Sequence, residues 1–219
     1  MLLRLHKPRK FPWRKTKNPY KIIVAEIMLQ RTKADQVVPV YEKFMKIYPK
    51  PSSLAKAKMR DLEIHMGPLG LHWRAHKLKS LGEKLHIEYG GKVPNNREKL
   101  LSLPGVGTYV ADAVLSFAYK KNVAVLDSNV VRVLRRLFFI TRSISEPRRD
   151  PKIYRLAQSL LPEGKSREYN LAMLDFANDI CTPRNPRCEV CPLSKLCNWN
   201  LKRKRLGKSK QGMITKYGF

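Results

Sequence analysis

Leu103-Pro104-Gly105-Val106-Gly107 separates two stretches of helical periodicity, 95–102 and 108–119. Two glycines around one valine predict a tight turn between helices, since glycine enters left-handed backbone at little steric cost. Such a turn brings backbone N–H groups to the start of the second helix, where unpaired amides and the helix dipole favour an anion such as a phosphate. By itself a G-x-G is a weak signal, and its surroundings give it weight. The 219 residues carry 45 Lys and Arg against 17 Asp and Glu, a formal net charge of +28. Such an excess calls for a polyanionic partner. Leu103, Gly105, Val106 and Gly107 are therefore read as a helix–hairpin–helix that grips a nucleic-acid backbone without reading its sequence.

A membrane surface is the other polyanion to consider, and it requires an apolar span or a strongly amphipathic anchor. The apolar run 22–29 is cut by Glu26 and is too short to cross a bilayer. Met1-Leu2-Leu3 is broken at Arg4 and gives no signal-peptide core. These features predict no membrane partner and a cytoplasmic location, associated with the nucleoid in a prokaryote. Thermophile-like surfaces mix both charge signs, whereas this charge is lopsided.

Outward from the hairpin the periodic signal is helical almost everywhere. Apolar residues recur at i, i+3, i+4 over 20–30, 34–48, 74–89, 130–139, 154–161 and 169–180. Pro19, Pro49, Pro51, Pro94, Pro147 and Pro162 punctuate the gaps. The one extended candidate, 123–126, is too short to build a sheet. The expectation is an all-α fold. Beyond residue 197 the chain carries Lys202, Arg203, Lys204, Arg205, Lys208, Lys210 and Lys216 with no acid, which predicts a basic arm whose last part is frayed.

All four cysteines lie in one window, Cys181, Cys188, Cys191 and Cys197, spaced C-x6-C-x2-C-x5-C. Disulfides do not suit a chain without an export signal, so the thiols are read as metal ligands. Zinc sites usually pair two short C-x2-4-C turns, whereas here one C-x2-C is flanked by two longer arms. That spacing favours a [4Fe–4S] cluster over zinc. With Arg184, Arg187 and Lys195 around it, the loop is also a candidate phosphate contact.

Acidic residues are few enough to weigh singly. Glu26, Asp112, Asp127 and Asp175 stand among apolar neighbours, where a carboxylate is paired, capping or catalytic. Asp112 and Asp175 are read as pairing with basic residues. Asp127 precedes 130–139 as an N-cap, with Asn129 as a competitor, and capping is compatible with catalysis. For Glu26 the choice between a structural and a chemical role stays open.

The hairpin at 103–107, Asp127 twenty residues past Gly107, and the cysteine pattern together resemble the endonuclease III/MutY superfamily of DNA base-excision glycosylases. The likeness runs from Phe11-Pro12-Trp13-Arg14 to Cys197. It implies two lobes with the active site in a cleft between them: a six-helix barrel over 19–123, and a cluster-bearing lobe made of 1–18 and 124–219. It supports the [4Fe–4S] cluster and places Asp127 at the catalytic aspartate position. The substrate it implies is double-stranded DNA with a mismatched base, acted on by a monomer. In this superfamily the residue two past the second hairpin glycine is lysine in the strand-cleaving members. Here it is Tyr109, which cannot form a Schiff base.

Two monofunctional branches remain under this resemblance. MutY-type adenine glycosylases carry a glutamate at the Glu26 position but typically add a C-terminal domain, and here the chain runs only 22 residues past Cys197. Mig-type mismatch thymine glycosylases of archaea carry an Arg-Thr after the first helix, and this sequence reads Leu29-Gln30-Arg31-Thr32. The resemblance therefore favours thymine or uracil opposite guanine. Gln30, Arg31 and the loop Leu69-Gly70-Leu71 are the candidates for filling the space left by an extruded base. For Arg31 a plain phosphate contact is an equal reading. Trp13 and Trp73 are expected to pack between lobes. A third reading, a catalytically silent DNA-binding module with an iron–sulfur or zinc site, would lack the cleft carboxylate.

Overall fold

The computed structural model describes residues 8–70, 72–141 and 150–206. Among these every regular element is helical, and no helix is long and apolar enough to cross a membrane. Leu71, residues 1–7, and the end of the basic arm with Lys208, Lys210 and Lys216 lie outside the described residues. The chain divides into two compact units, Lys10–Lys121 and Met1–Arg9 with Asn122–Phe219.

In the unit Lys10–Lys121, α1 (Pro19–Leu29) runs through the apolar centre. Asn18 caps it by accepting from the Lys21 amide at 3.2 Å, and Pro19 starts the first turn with its φ preset. Eight of its eleven residues are buried, so its sequence shows a continuous apolar run instead of a stripe. The next helix, α2 (Ala34–Ile47), is one-sided, burying Val37, Val40, Tyr41 and Phe44 at helical spacing. Two short helices, α3 (Pro51–Ala55) and α4 (Met59–Met66), then lead to α5 (Trp73–Glu88). Gly82 of α5 is required by contact. A Cβ there would stand 2.7 Å from Leu54 Cγ and 2.9 Å from the Ala55 nitrogen, so only glycine lets α3 lie on α5 this closely. The unit closes with α6 (Arg97–Leu101), the hairpin, and α7 (Thr108–Phe117).

Residues 10–18, placed with the cluster-bearing lobe on sequence grounds, belong to this unit. Trp13 is buried, stacked on Phe11 at 5.0 Å and set edge-on to Tyr41 of α2 at 5.3 Å. An aromatic of this size goes where it loses most water. Trp13 therefore packs inside one unit, and Trp73 is 39% exposed.

The second unit is organised around α8 (Ser128–Phe138), with α9 (Pro151–Ser159) and α10 (Ser166–Asp179) against it. Val130, Val131, Val133 and Leu134 of α8 meet Ile153, Ala157, Met173, Phe176 and Ala177 in one core. The extended stretch 123–126 finds no strand partner. Side-chain amides stand in for one: Gln158 accepts from the Ala124 amide at 3.0 Å and donates to the Asn122 carbonyl at 2.7 Å. Asn170 likewise accepts from the Val125 amide at 3.2 Å and donates to the Val123 carbonyl at 2.9 Å. Buried backbone groups must be paired, and two amides here do what a ladder would do. Past the cysteine segment, α11 (Asn198–Leu206) turns the first part of the basic arm into a helix.

Candidate functional site

In the hairpin, Leu103 and Val106 are buried and anchor the turn, so the backbone and not these side chains faces outward. Gly105 has φ +80, and a Cβ on it would come within 3.2 Å of Ile27 Cδ1 and 3.3 Å of Lys77 Cβ. Gly107 differs, with an ordinary φ of −93 and nothing within 4 Å of an added Cβ. It caps α7 without a side-chain hydrogen bond, at a helix start of the kind that favours an anion. Tyr109, half-buried, is the second residue of this helix.

Gln30 sits just past the end of α1 and donates from Nε2 to the Gly105 carbonyl at 3.2 Å, tying the 30–32 loop to the hairpin. Arg31 is exposed and held at φ +59, a left-handed conformation uncommon for a residue with a Cβ. Gly70 is also left-handed, at φ +66, and exposed. Leu69 is different: it is 9% exposed and points inward, so its side chain is not the wedge that its position in the loop predicted. Burying a leucine is worth more than leaving it on a loop tip in water. Glu26, in the middle of α1, is 5% exposed.

In the other unit Asp127 is the N-cap of α8. One carboxylate oxygen accepts from the Val130 amide at 2.7 Å and the other from Asn129 Nδ2 at 2.7 Å. The carboxylate is half-buried, and the two donors fix its orientation. Asn129, read from sequence as a competing cap, is the cap's partner instead. Arg132 holds it in turn, donating to Asn129 Oδ1 at 2.8 Å, to the Ala177 carbonyl at 2.8 Å and to the Cys181 carbonyl at 3.0 Å. An unbroken chain of hydrogen bonds thus runs from the first cysteine's backbone to the Asp127 carboxylate. Sequence reading missed Arg132. The available signal was its position, one turn past Asn129 on the polar side of an otherwise apolar helix.

Cys181, Cys188, Cys191 and Cys197 line one recess, whose other walls include Val133, Leu137, Phe176, Ile180 and Leu193. Among the described residues no group of three or more His, Cys, Asp or Glu forms a site for a single metal ion. Burial pushes the Cys191 thiol up to about 11, and the three neighbouring cysteines push the same way. Burial raises Cys188 and Cys197 too. Thiolates brought this close together call for a cationic guest. Arg136 supplies part of the positive field, with Nη1 3.5 Å from Cys181 Sγ and hydrogen bonds to the Thr182 and Pro183 carbonyls at 2.7 and 2.6 Å.

The family comparison agrees with this geometry. Residues 24–162 match the HhH-GPD superfamily of base excision DNA repair proteins, and residues 181–197 match the iron–sulfur binding domain of endonuclease III. The chain belongs to the HhH-GPD superfamily. It is a DNA N-glycosylase, and its cofactor is a [4Fe–4S] cluster. A thymine/uracil-DNA glycosylase of Methanothermobacter thermautotrophicus is 41% identical over 193 residues, 87% of this chain and 86% of that protein. An adenine DNA glycosylase of Buchnera aphidicola is 33% identical over 95% of this chain, which spans 60% of that protein's length. A solved structure of a thermostable thymine-DNA glycosylase superposes with a TM-score of 0.83 at 38% identity, covering 92% of this chain and 93% of that one.

For a glycosylase of this family the donor set fits the cluster. Thiolates are soft ligands for iron, apolar side chains make up much of the recess wall, and Arg136 sets a positive charge beside them. The two aspartates assigned to structural duty behave so. Asp112, buried, pairs with Arg97 at 2.8 Å, and Asp175 accepts from the Arg9 backbone amide at 3.3 Å.

Proposed function

We propose that this glycosylase hydrolyses the N-glycosidic bond of thymine or uracil mispaired with guanine in double-stranded DNA, acting as a monomer and leaving the strand uncut. The observation that carries the reading is the Asp127 carboxylate, half-buried and oriented by one backbone and one side-chain donor. A base inside a duplex is out of reach, so the nucleotide is first rotated out of the stack, most cheaply where its pairing is already poor. Breaking the bond to the sugar builds positive charge on the ring. A fixed carboxylate stabilises that charge and orients the attacking water, and one held by donors needs no reorganisation as the charge appears. The thymine leaves as a resonance-stabilised anion met by hydrogen-bond donors.

Cys181, Cys188, Cys191 and Cys197 are the residues we assign as ligands of the cluster, whose role is to hold the loop 181–197 in one shape. The phosphates on either side of the lesion are taken by the amides at the start of α7 and by the cations around the cysteines. Gln30, Arg31 and Gly70 fall at the loops that would fill the vacated space. Tyr109, standing where strand-cleaving relatives of the resemblance carry lysine, has no amine to attack the sugar.

Support for the substrate is the 41% identity to a thymine/uracil-DNA glycosylase over most of both chains. One residue favours the adenine reading: Glu26, a carboxyl buried in α1, is of the type that could protonate a leaving base. Adenine leaves readily only when a ring nitrogen is protonated, whereas thymine has no such need. A panel of duplexes containing G·T, G·U, A·U, and A opposite G or oxidised guanine tests the choice. Release from G·T and G·U, with the strand intact until alkali, is the expected result. Excision of adenine alone, abolished by Glu26→Gln, would replace this reading with the adenine one. Tyr109→Lys puts an amine at the same helix position, and borohydride should then trap a protein–DNA adduct absent from the wild type.

A further inference from the structure

Arg74 is the largest fully buried side chain among the described residues, with no exposed surface. An arginine loses much hydration on burial and needs dense hydrogen bonding in return. Here five acceptors meet the two terminal nitrogens of the guanidinium, all neutral oxygens, three from the end of α1 and the loop after it and two from the 69–70 turn. Nη1 donates to the carbonyls of Met28 and Gln30 at 2.5 and 3.1 Å and to Thr32 Oγ1 at 3.0 Å. Nη2 donates to the carbonyls of Leu69 and Gly70 at 2.6 and 3.1 Å. One planar group thus joins the loop that follows α1 to the loop that precedes α5, its two nitrogens serving one loop each.

What those loops contain gives the arrangement its meaning. The first holds Arg31 at φ +59, flanked on both sides by Arg74 acceptors, Gln30 and Thr32. The second holds Gly70 at φ +66, itself an Arg74 acceptor. Left-handed backbone at a residue with a Cβ persists only where the surroundings over-determine it. Arg31 and Gly70 are also exposed while Arg74 is hidden beneath them.

We infer that Arg74 is a positioning residue: it fixes the 30–32 and 69–70 loops as one preformed element, so that Arg31 and the Gly70 turn enter the duplex together when a base is extruded. The inference rests on the proposed glycosylase reading and names how its base-extruding surface is held. Nothing smaller than a guanidinium serves. A lysine ammonium has three donors on one atom and cannot span both sets of carbonyls, although it keeps the charge. A preformed element spares DNA binding the cost of ordering two loops, and that saving falls on extrusion more than on phosphate contact.

The test compares wild-type, Arg74→Lys and Thr32→Val full-length protein loaded with its cluster. Three readouts apply: single-turnover release of thymine from a G·T duplex, affinity for an undamaged duplex, and fluorescence of a 2-aminopurine placed beside the mismatched base in an Asp127→Asn background. Arg74→Lys should slow release by about 10–100-fold, the scale of a small misplacement of positioned groups, while affinity for undamaged DNA stays within about 3-fold. The rise in 2-aminopurine fluorescence should be lost in parallel. Thr32→Val removes one acceptor and leaves the buried charge paired, so it should act in the same direction by about 3-fold; it decides the matter if Arg74→Lys does not fold. Release and fluorescence unchanged in either folded variant would overturn the inference, as would an equal loss of affinity for undamaged DNA. If the wild type excises a different base from the panel, the substrate reading fails, and the same comparison is made on that base.

Discussion

The two units solve the problem of buried polar groups in different ways. In Lys10–Lys121 the protein itself supplies the partners: the terminal nitrogens of Arg74 meet five carbonyl or hydroxyl oxygens, Asp112 has Arg97, and half-buried Gln30 has the Gly105 carbonyl. In the unit with Asn122–Phe219, the arginines Arg132 and Arg136 satisfy backbone carbonyls of the cysteine segment, but four cysteines crowd one recess with a single guanidinium against the Cys181 sulfur. The first unit is complete as a polypeptide. The second is complete only with its cluster, because the binding energy of a structural metal is folding energy. The 30–32 and 69–70 loops and the Asp127 carboxylate therefore depend on different things, packing in one case and a cofactor in the other.

The sharpest way to break that comparison is Cys191→Ser. It should cost the visible absorbance of the cluster, the ordered 181–197 loop and all base release, while α1 to α7 keep their helical signal in hydrogen exchange. Protection lost equally in both units would show that they stand or fall together. A smaller effect separates the two hairpin glycines. Gly105→Ala forces a Cβ into left-handed backbone against Ile27 and should destabilise the first unit by about 1–2 kcal/mol. Gly107→Ala has room and an ordinary φ, so it should leave stability within about 0.5 kcal/mol and weaken DNA binding instead. Thermal melts beside duplex titrations check both, and equal stability losses would sink the division of labour drawn here. The salt dependence is smaller still in structural terms yet easy to measure. If some 6–10 phosphates are neutralised, affinity should fall by about 10³–10⁵-fold between 50 and 200 mM salt.

How far the sequence carried the fold differs between the units for the same reason. Helices with a one-sided apolar pattern, such as α2, α5 and α8, were legible from spacing alone. The short helices α3 and α4 were not, because five and eight residues give little periodicity to read. Also hidden was α11, since its composition is that of a solvated basic arm. In the candidate site, the hairpin, Asp127 and the cysteines were visible as residue types at fixed spacing. Arg74 and Arg132 were not, because a chain with 45 basic residues gives no sequence sign of which are buried. Leu69 was misread for a related reason: a loop position does not say which side chain turns inward.

The proposed role of Asp127 in base release is tested by single-turnover thymine release from a G·T duplex by Asp127→Asn beside wild type. Asparagine is as good an N-cap as aspartate and nearly the same shape, so α8 and its packing should persist, as should DNA affinity within a few-fold. What disappears is the charge that meets the sugar cation. Release should fall by at least about 10²–10³-fold. Release at the wild-type rate from a folded, DNA-binding Asp127→Asn protein would contradict that role.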